Sequence, residues 1–451
     1  MNPSATPKIS GSPVTPDLPT LTLGRIFALW LPLAASWALM TVEYPIIQAS
    51  IARLPFTETM LAAASVVIGL EITIEAPVIM LLATTTALAR GPASYRILRR
   101  FTLHLNIACT VVAALVALVD PIFELIVPGL MGIPEPIAVE VRPALLIMIP
   151  WSAAIGWRRF HQGILIRAGR TRLVGGGTLV RLVFAAGSAI GLTYWGGASG
   201  VVLGACAWVA GVTAEAIFAH LVARATVREL YHADAPDEDR PPTYGEIARY
   251  HAPLAATSLL SLLAMPVLQA GIARMPDPEQ NLAAWPVAFA ILLLFRSPGF
   301  ALPEAVIALL RGRATVAPLR RFTLIMAAST VAGLTLFVIS PLFDLYLGRA
   351  LAVPDALVPF VLPALLAGLL IPAMQSLQSW YRGVLMTARA TQHVYWGMGI
   401  ALLTTTTIMF AAVLAAAPGV VSAAIALTAG MILESLYLAR QARTAVGAIT
   451  E

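Results

Sequence analysis

The sequence predicts an all-α polytopic membrane protein of twelve transmembrane helices in two parallel six-helix repeats, with both termini in the cytoplasm. Three observations predict it. Of 451 residues, 59% are apolar and only 12% charged, against roughly 25% charged in soluble globular proteins. Apolar runs of about 20 residues, enough to cross a hydrocarbon core about 30 Å thick, recur from end to end. The stretch YPIIQASIARLP at 44–55 returns as MPVLQAGIARMP at 265–276.

The first six spans read near 25–50, 59–88, 101–122, 141–166, 173–195 and 199–222. Six more read near 250–273, 284–310, 322–340, 356–387, 393–415 and 420–439. The chain thus divides into a disordered cytoplasmic tail (1–24), a six-helix lobe (25–222), a cytoplasmic linker (223–249), a second lobe (250–440) and a cytoplasmic tail (441–451). The opening MNPSATPKISGSPVTPDLPT is rich in Pro, Ser and Thr and lacks the basic-then-apolar order of a cleavable signal.

Direction follows from charge. Arg90, Arg96, Arg99 and Arg100 fall in one loop, Arg167, Arg170 and Arg172 in another, and Arg311, Arg313, Arg320 and Arg321 in a third. The alternate loops carry Asp120, Glu124 and Glu135, then Asp277 and Glu279, then Asp344 and Asp355. The positive-inside rule makes the Arg-rich set cytoplasmic, with both termini on that side and an even number of spans.

The repeat holds a single register. Pro253, Pro266, Gln269 and Pro298 each stand 221 residues after Pro32, Pro45, Gln48 and Pro77, and RRFT at 99–102 meets RRFT at 320–323. After a one-residue deletion the offset is 220, matching PALL at 143 to PALL at 363 and GIL at 163–165 to GVL at 383–385. A register carried over so much chain marks duplication. An even number of crossings per copy leaves the copies facing the same way, the arrangement in which a transporter's two halves rock about a shared midplane site.

Several function classes lose support. No GxxxxGK[ST] occurs, and GGG at 175–177 lacks the Lys and hydroxyl that hold a nucleotide phosphate and its metal. No paired-Cys or HExxH spacing suggests a metal site, and no cofactor is expected. The formal charge of +6 comes from arginines between apolar runs, so nucleic acid is not an expected partner. Cys109 and Cys206 lie inside apolar runs and are expected to be free, small hydrophobes.

Ionisable groups at membrane depth are costly, which makes each a functional candidate. Span two holds Glu71 and Glu75 on one helical face, just before Pro77; in the repeat, Arg296 takes the position of Glu75. These two sites of opposite charge could pair across the axis. Under the 220 offset, Arg158 stands opposite Gln378 and Gln162 opposite Arg382, so spans four and ten each carry one Arg and one Gln, exchanged. Gln375, Gln378 and Arg382 form a polar stripe, as do Arg158, His161 and Gln162. Guanidinium forks beside amides suit a small anion, whereas arginines in the cytoplasmic half of a span can also snorkel to headgroups, Arg159 most readily. Gln48 and Gln269 either contact substrate or bond across helices. Glu43, Arg181, Glu215 and Glu304 lack charged counterparts in the other half, and Glu304 is the strongest of them, following Pro303 on the helix of Arg296. Glu43, Glu71, Glu75 and Glu304 are candidates for coupling or gating.

Twelve crossings in two parallel halves resemble the multidrug/oligosaccharidyl-lipid/polysaccharide (MOP) exporter superfamily, which holds multidrug-and-toxin (MATE) exporters and lipid-linked oligosaccharide flippases. The details look most like its progressive ankylosis family. The resemblance rests on PLAASWALMTVEYPIIQASIA, the Pro77 segment, HQGILI at 161–166, APLAATSLLSLLAMPVLQAGIAR, PGFALPEAV with Glu304, and the stretch ending RGVLMT. Gln48 and Gln269 fit an amide position of that family, Glu304 an acidic one and His161 a histidine. The sequence departs where an Arg and a His are expected on span ten: Gln378 and Trp380 stand there, with Arg382 displaced, and Glu71 replaces a basic residue. The resemblance implies export of an anion of the pyrophosphate, citrate or nucleotide class.

The leading expectation is therefore a secondary-active or facilitative anion exporter, not an enzyme, monomeric among membrane lipids and sited in a bacterial plasma membrane. Its anion partners are Arg158, Arg296 and Arg382. The alternatives are a cation-coupled multidrug exporter using Glu43, Glu71 or Glu75, a flippase for a lipid-linked precursor, and, from another class, a non-transporting scaffold.

Overall fold

Proline and sequence duplication shape the helices. The computed structural model describes residues 21–232 and 240–450, and all regular structure among them is helical. Ten helices are long and apolar enough to cross a membrane, and two bent pairs bring the number to twelve when each pair is one crossing. The first half contains α1 (Leu23–Ala52), α2 (Thr57–Ile74, prolonged by Ala76–Ile79 and Leu81–Leu88) and α3 (Pro92–Leu118). It continues with α4 (Glu135–Met148 and Trp151–Arg167), α5 (Thr171–Trp195) and α6 (Gly200–Leu230). The second half contains α7 (Tyr244–Leu262 and Ala264–Ile272), α8 (Pro278–Phe300 and Leu302–Leu309) and α9 (Arg313–Ile339). It ends with α10 (Val358–Ala367 and Ile371–Thr387), α11 (Gln392–Leu414) and α12 (Gly419–Thr450).

The breaks fall at prolines, which lack the N–H that would continue the ladder. Pro77 follows the break in α2 and Pro303 the break in α8; Pro150 and Pro372 flank bends of 41° and 40° in α4 and α10. Helix ends extend past the hydropathic runs. The third helix starts at Pro92, because Arg96, Arg99 and Arg100 ride on its water-facing first turns. Residues expected to form linker and tail are partly helical, as α6 runs to Leu230, α7 begins at a Thr243–Glu246 capping box, and α12 reaches Thr450. The expected N-terminal tail lies outside the described residues except at its last few positions, where α1 already begins at Leu23. Cys109 is buried and Cys206 half-buried, and both are free.

The duplication is visible in the backbone. Left-handed turn residues recur at equivalent places: Phe56 and Asp277, Gly132 and Ala352, Gly169 and Arg389, Gly196 and Ala416. Three of these turns use Gly in the first half and a residue with a Cβ in the second, so the turn is inherited even where the permissive residue is not.

The halves meet through pairs of bonds that obey the same symmetry. The amide of Gln48 donates to the Pro286 carbonyl at 3.0 Å, and that of Gln269 to the Ser65 carbonyl at 2.6 Å. Trp30 Nε1 donates to the Pro298 carbonyl at 3.0 Å, while His251 Nε2 sits 3.0 Å from the Pro77 carbonyl and carries the proton, since a carbonyl only accepts. Farthest from the termini, Arg274 donates to the carbonyls of Gly129, Leu130 and Met131, and Arg53 to those of Arg349 and Ala350. Each arginine thereby caps a π-helical turn of the other half, Leu125–Leu130 or Tyr346–Ala350, whose terminal carbonyls lack intrahelical donors.

At this end Met60–Leu70 of α2 packs directly on α8, and both surfaces are buried. Toward the termini the segments diverge: Leu81–Leu88 packs on α4, and Leu302–Leu309 on α10. Direct contact between α2 and α8 is therefore concentrated at one end, while toward the termini the halves meet through α1 against α8 and α9 and through α7 against α2 and α3. Replacing Arg53 and Arg274 together by alanine removes the crossed caps, and spin labels at Phe56 and Asp277 should then report a longer, broader distance distribution by pulsed electron paramagnetic resonance. An unchanged distribution would show that helix packing alone holds this end shut.

Candidate functional site

Each half carries a buried clamp on one carboxylate. In the first, Arg158 of α4 pairs with Glu215 of α6, and Gln162 one turn later donates to the other oxygen of Glu215 at 3.0 Å. In the second, Gln378 of α10 donates to Glu434 of α12 at 2.9 Å, and Arg382 one turn later pairs with the other oxygen of Glu434. The Arg and Gln are exchanged between halves, as the sequence shows, and the carboxylate is held in both. Glu215 thus has a counterpart after all. A second deletion between α11 and α12 brings the offset to 219, aligning Gly200 with Gly419 and Glu215 with Glu434; a register followed through that last loop finds it.

Around the clamps the halves differ. The first half adds an ion pair, Arg181 Nε to Glu43 at 2.6 Å, with the Arg181 guanidinium 5.9 Å from the Trp151 ring. Trp151 Nε1 donates to Glu75 at 2.5 Å. Glu71 is buried, and its Oε2 has no hydrogen-bond partner among the described residues. Arg159 reaches Gln162 at 3.4 Å. Four carboxylates (Glu43, Glu71, Glu75 and Glu215) therefore face three guanidiniums (Arg158, Arg159 and Arg181).

In the second half the positions of Glu43 and Arg181 are taken by Ala264 and Ala401. With that ion pair gone, a cavity of about 190 Å³ stands open, lined by both alanines, Arg296, Gln375, Gln378, Arg382 and Glu434. Arg296 donates to Gln375 Oε1 at 2.9 Å and lies 5.5 Å from the Phe300 ring. Gln375 is held in turn by a bond to Ser379 at 3.1 Å. Gly299 lets α8 approach α10 here, since a Cβ would meet Gln375 Cγ at 2.9 Å. Two guanidiniums thus face one carboxylate, and the Nε of Arg296 is buried without an acceptor among the described residues. Acids thus outnumber guanidiniums in the first half, and guanidiniums outnumber acids around the second-half cavity.

The candidates of the sequence reading therefore separate into groups. Arg296, Gln375, Gln378 and Arg382 share the second cavity; Arg158 and Gln162 are engaged by Glu215; Gln48 and Gln269 bond across the halves. Glu75 and Arg296 do not pair with each other, because each is occupied within its own half. Glu304 is exposed at the start of Leu302–Leu309. His161 lies off the clamp, 3.1 Å from His220. Among the described residues no group of three or more His, Cys, Asp or Glu side chains is arranged to hold a metal.

No family model matches the chain, and no curated protein matches it. Solved structures do. An inward-facing multidrug resistance MATE family transporter of the MOP superfamily superposes with a TM-score of 0.66 over 95% of this chain and 99% of that one, at 12% identity. A MOP superfamily transporter from Pyrococcus furiosus, described by a reverse polarity of its binding pocket, gives 0.67 over 95% and 97%, at 14% identity. The lipid II flippase MurJ in an inward closed conformation gives 0.69 over 93% and 90%, at 12% identity. The chain has the fold of these transporters. The expected all-helical MATE-like architecture is observed, and the chain is a multi-pass membrane protein.

Removing one member of a buried, paired charge strands the other, which typically costs about 3–5 kcal/mol. Arg158→Gln should lower the unfolding temperature in detergent markedly, and adding Glu215→Gln should restore most of the loss. If the double variant is no more stable than the single, the clamp is not what neutralises Glu215.

Proposed function

We propose that the protein is an alternating-access transporter that exports a small multivalent anion, of the pyrophosphate, citrate or nucleotide class, through the cavity of its second half. One observation carries this reading: Arg296 and Arg382 line one cavity whose sole carboxylate, Glu434, is already engaged. A guanidinium with an unused buried N–H attracts an anion able to bring several acceptor oxygens. The Arg-rich loops support a cytoplasmic location for the end of the bundle that carries the termini. The sequence resemblance to the progressive ankylosis family supports the same class of cargo.

The alternative, a cation-coupled exporter, draws support from the first half, where Glu71 is buried without a partner for its Oε2. That carboxylate is suited to carry a proton or small cation in exchange for the cargo. Both roles fit one cycle, with anion and coupling ion in opposite lobes.

Proteoliposomes loaded with citrate, pyrophosphate, ATP or an organic cation separate the readings. Wild-type protein should release at least one of the anions, and Arg296→Gln should cut that efflux tenfold or more, because it removes the excess charge without stranding Glu434. Anion efflux at the wild-type rate in Arg296→Gln, or efflux of the organic cation alone, would overturn the assignment. With Glu71→Gln, efflux should lose its response to an imposed pH gradient; an intact response would remove Glu71 from coupling.

A further inference from the structure

A second basic cavity, of about 190 Å³, lies in the first half, well away from the anion cavity. It is lined by Tyr95 of α3, His161 of α4, and His220, Arg224, Val227 and Arg228 of α6. Its hydrogen bonds run in one direction. His161 Nδ1 lies 2.8 Å from the Trp157 carbonyl and must donate to it, which leaves its Nε2 as the acceptor from His220 Nδ1 at 3.1 Å. His220 Nε2 then accepts from Arg224 Nε at 3.4 Å. The Trp157 ring packs edge-to-face against His161, 4.6 Å between centroids.

The consequence lies with the guanidinium. Arg224 spends its Nε on the imidazole, and its two Nη groups have no partner among the described residues. Arg228 and the Tyr95 hydroxyl likewise make no hydrogen bond or ion pair with the described residues. The nearby carboxylate, Glu229, is occupied by Arg170 at 2.5 Å. The charge of Arg99 on α3 also reaches both imidazoles. Several cations and a phenol thus surround a small cavity into which no carboxylate of the described residues reaches.

Its position along α6 bears on the ligand. Arg224 and Arg228 follow the far-end start of α6 at Gly200 by more than 20 residues, which at 1.5 Å per residue sets them about 36–42 Å along the helix, beyond a hydrocarbon core about 30 Å thick. On a span that enters the hydrocarbon core near Gly200 this length would carry them to the level of the lipid phosphates. The second half lacks the arrangement, with Val316, Tyr381, Ala439 and Gly447 at the positions of Tyr95, His161, His220 and Arg228.

The geometry points to a phosphate-binding site between α3, α4 and α6, in which Arg224 and Arg228 hold a phosphomonoester or phosphodiester group and the His161–His220 ladder sets the aim of Arg224. The group is supplied by an anionic lipid headgroup or by free phosphate. Bound phosphate ties α6 to α3 and α4, the helices that also carry the Arg158–Glu215 clamp and its surroundings.

The test uses full-length protein in a neutral maltoside detergent, with binding of short-chain phosphatidic acid and of inorganic phosphate measured separately by titration calorimetry. Wild type should bind at least one of them, and Arg224→Gln/Arg228→Gln should weaken that binding tenfold or more. Phosphatidic acid binding alone assigns the site to a headgroup; equal binding of inorganic phosphate assigns it to the free ion. Equal affinity in the double variant and wild type, or no binding by a wild type that still unfolds cooperatively, would overturn the proposal. His220→Phe tests the positioning role: phosphate should bind more weakly with the folding temperature retained, and unaltered affinity would remove the ladder from the site.

Discussion

Charge neutralisation inside hydrocarbon is the constraint on which the rest of this structure depends. An isolated guanidinium or carboxylate at membrane depth is expensive, and each one must find a partner, a wet cavity or a way to the headgroups. Both halves meet the requirement with the same device, an Arg and a Gln one turn apart on α4 or α10 gripping a Glu on α6 or α12. Exchange of Arg and Gln between halves leaves the grip intact, because either side chain can donate to either carboxylate oxygen.

From that shared frame the halves have diverged in charge. The first half keeps Glu43 and Arg181 as a filled ion pair and accumulates unpaired acid at Glu71. The second has alanines at 264 and 401, an open cavity and an extra arginine. Duplication supplies two copies of a buried polar site, and divergence leaves one filled by an ion pair and the other open. The contacts between halves stayed symmetric throughout: Gln48 with Gln269, Trp30 with His251 and Arg53 with Arg274 each reach carbonyls of the opposite half. Bonds to backbone carbonyls tolerate side-chain drift on the receiving helix, so the surfaces between the halves remain matched while the pockets change.

Much of the architecture was legible in the sequence because hydropathy and repeat register are properties of long segments. The twelve runs, the parallel duplication and the Arg–Gln exchange were all readable. Helix ends were not, since the first turns of α3 and the last of α12 lie in water, where apolar periodicity stops reporting. Partners were harder still. Glu215 looked solitary because a one-residue deletion before α12 hides Glu434 from a fixed offset, and Arg53 and Arg274 look like loop charges although they cap turns of the opposite half. Gln48 and Gln269 were equally suited to cargo or to helix contact on sequence alone, and only their distances to Pro286 and Ser65 place them between the halves. The His161–His220 ladder joins residues 59 apart that no sequence motif links.

The central claim, that loss of one ion pair opens the second cavity to an anion, is tested by restoring the pair. Ala264→Glu/Ala401→Arg rebuilds in the second half what Glu43 and Arg181 form in the first. Calorimetric titration of pyrophosphate and citrate into this variant and into wild type should show binding to wild type and none to the folded variant. Binding of equal affinity in both would contradict the account.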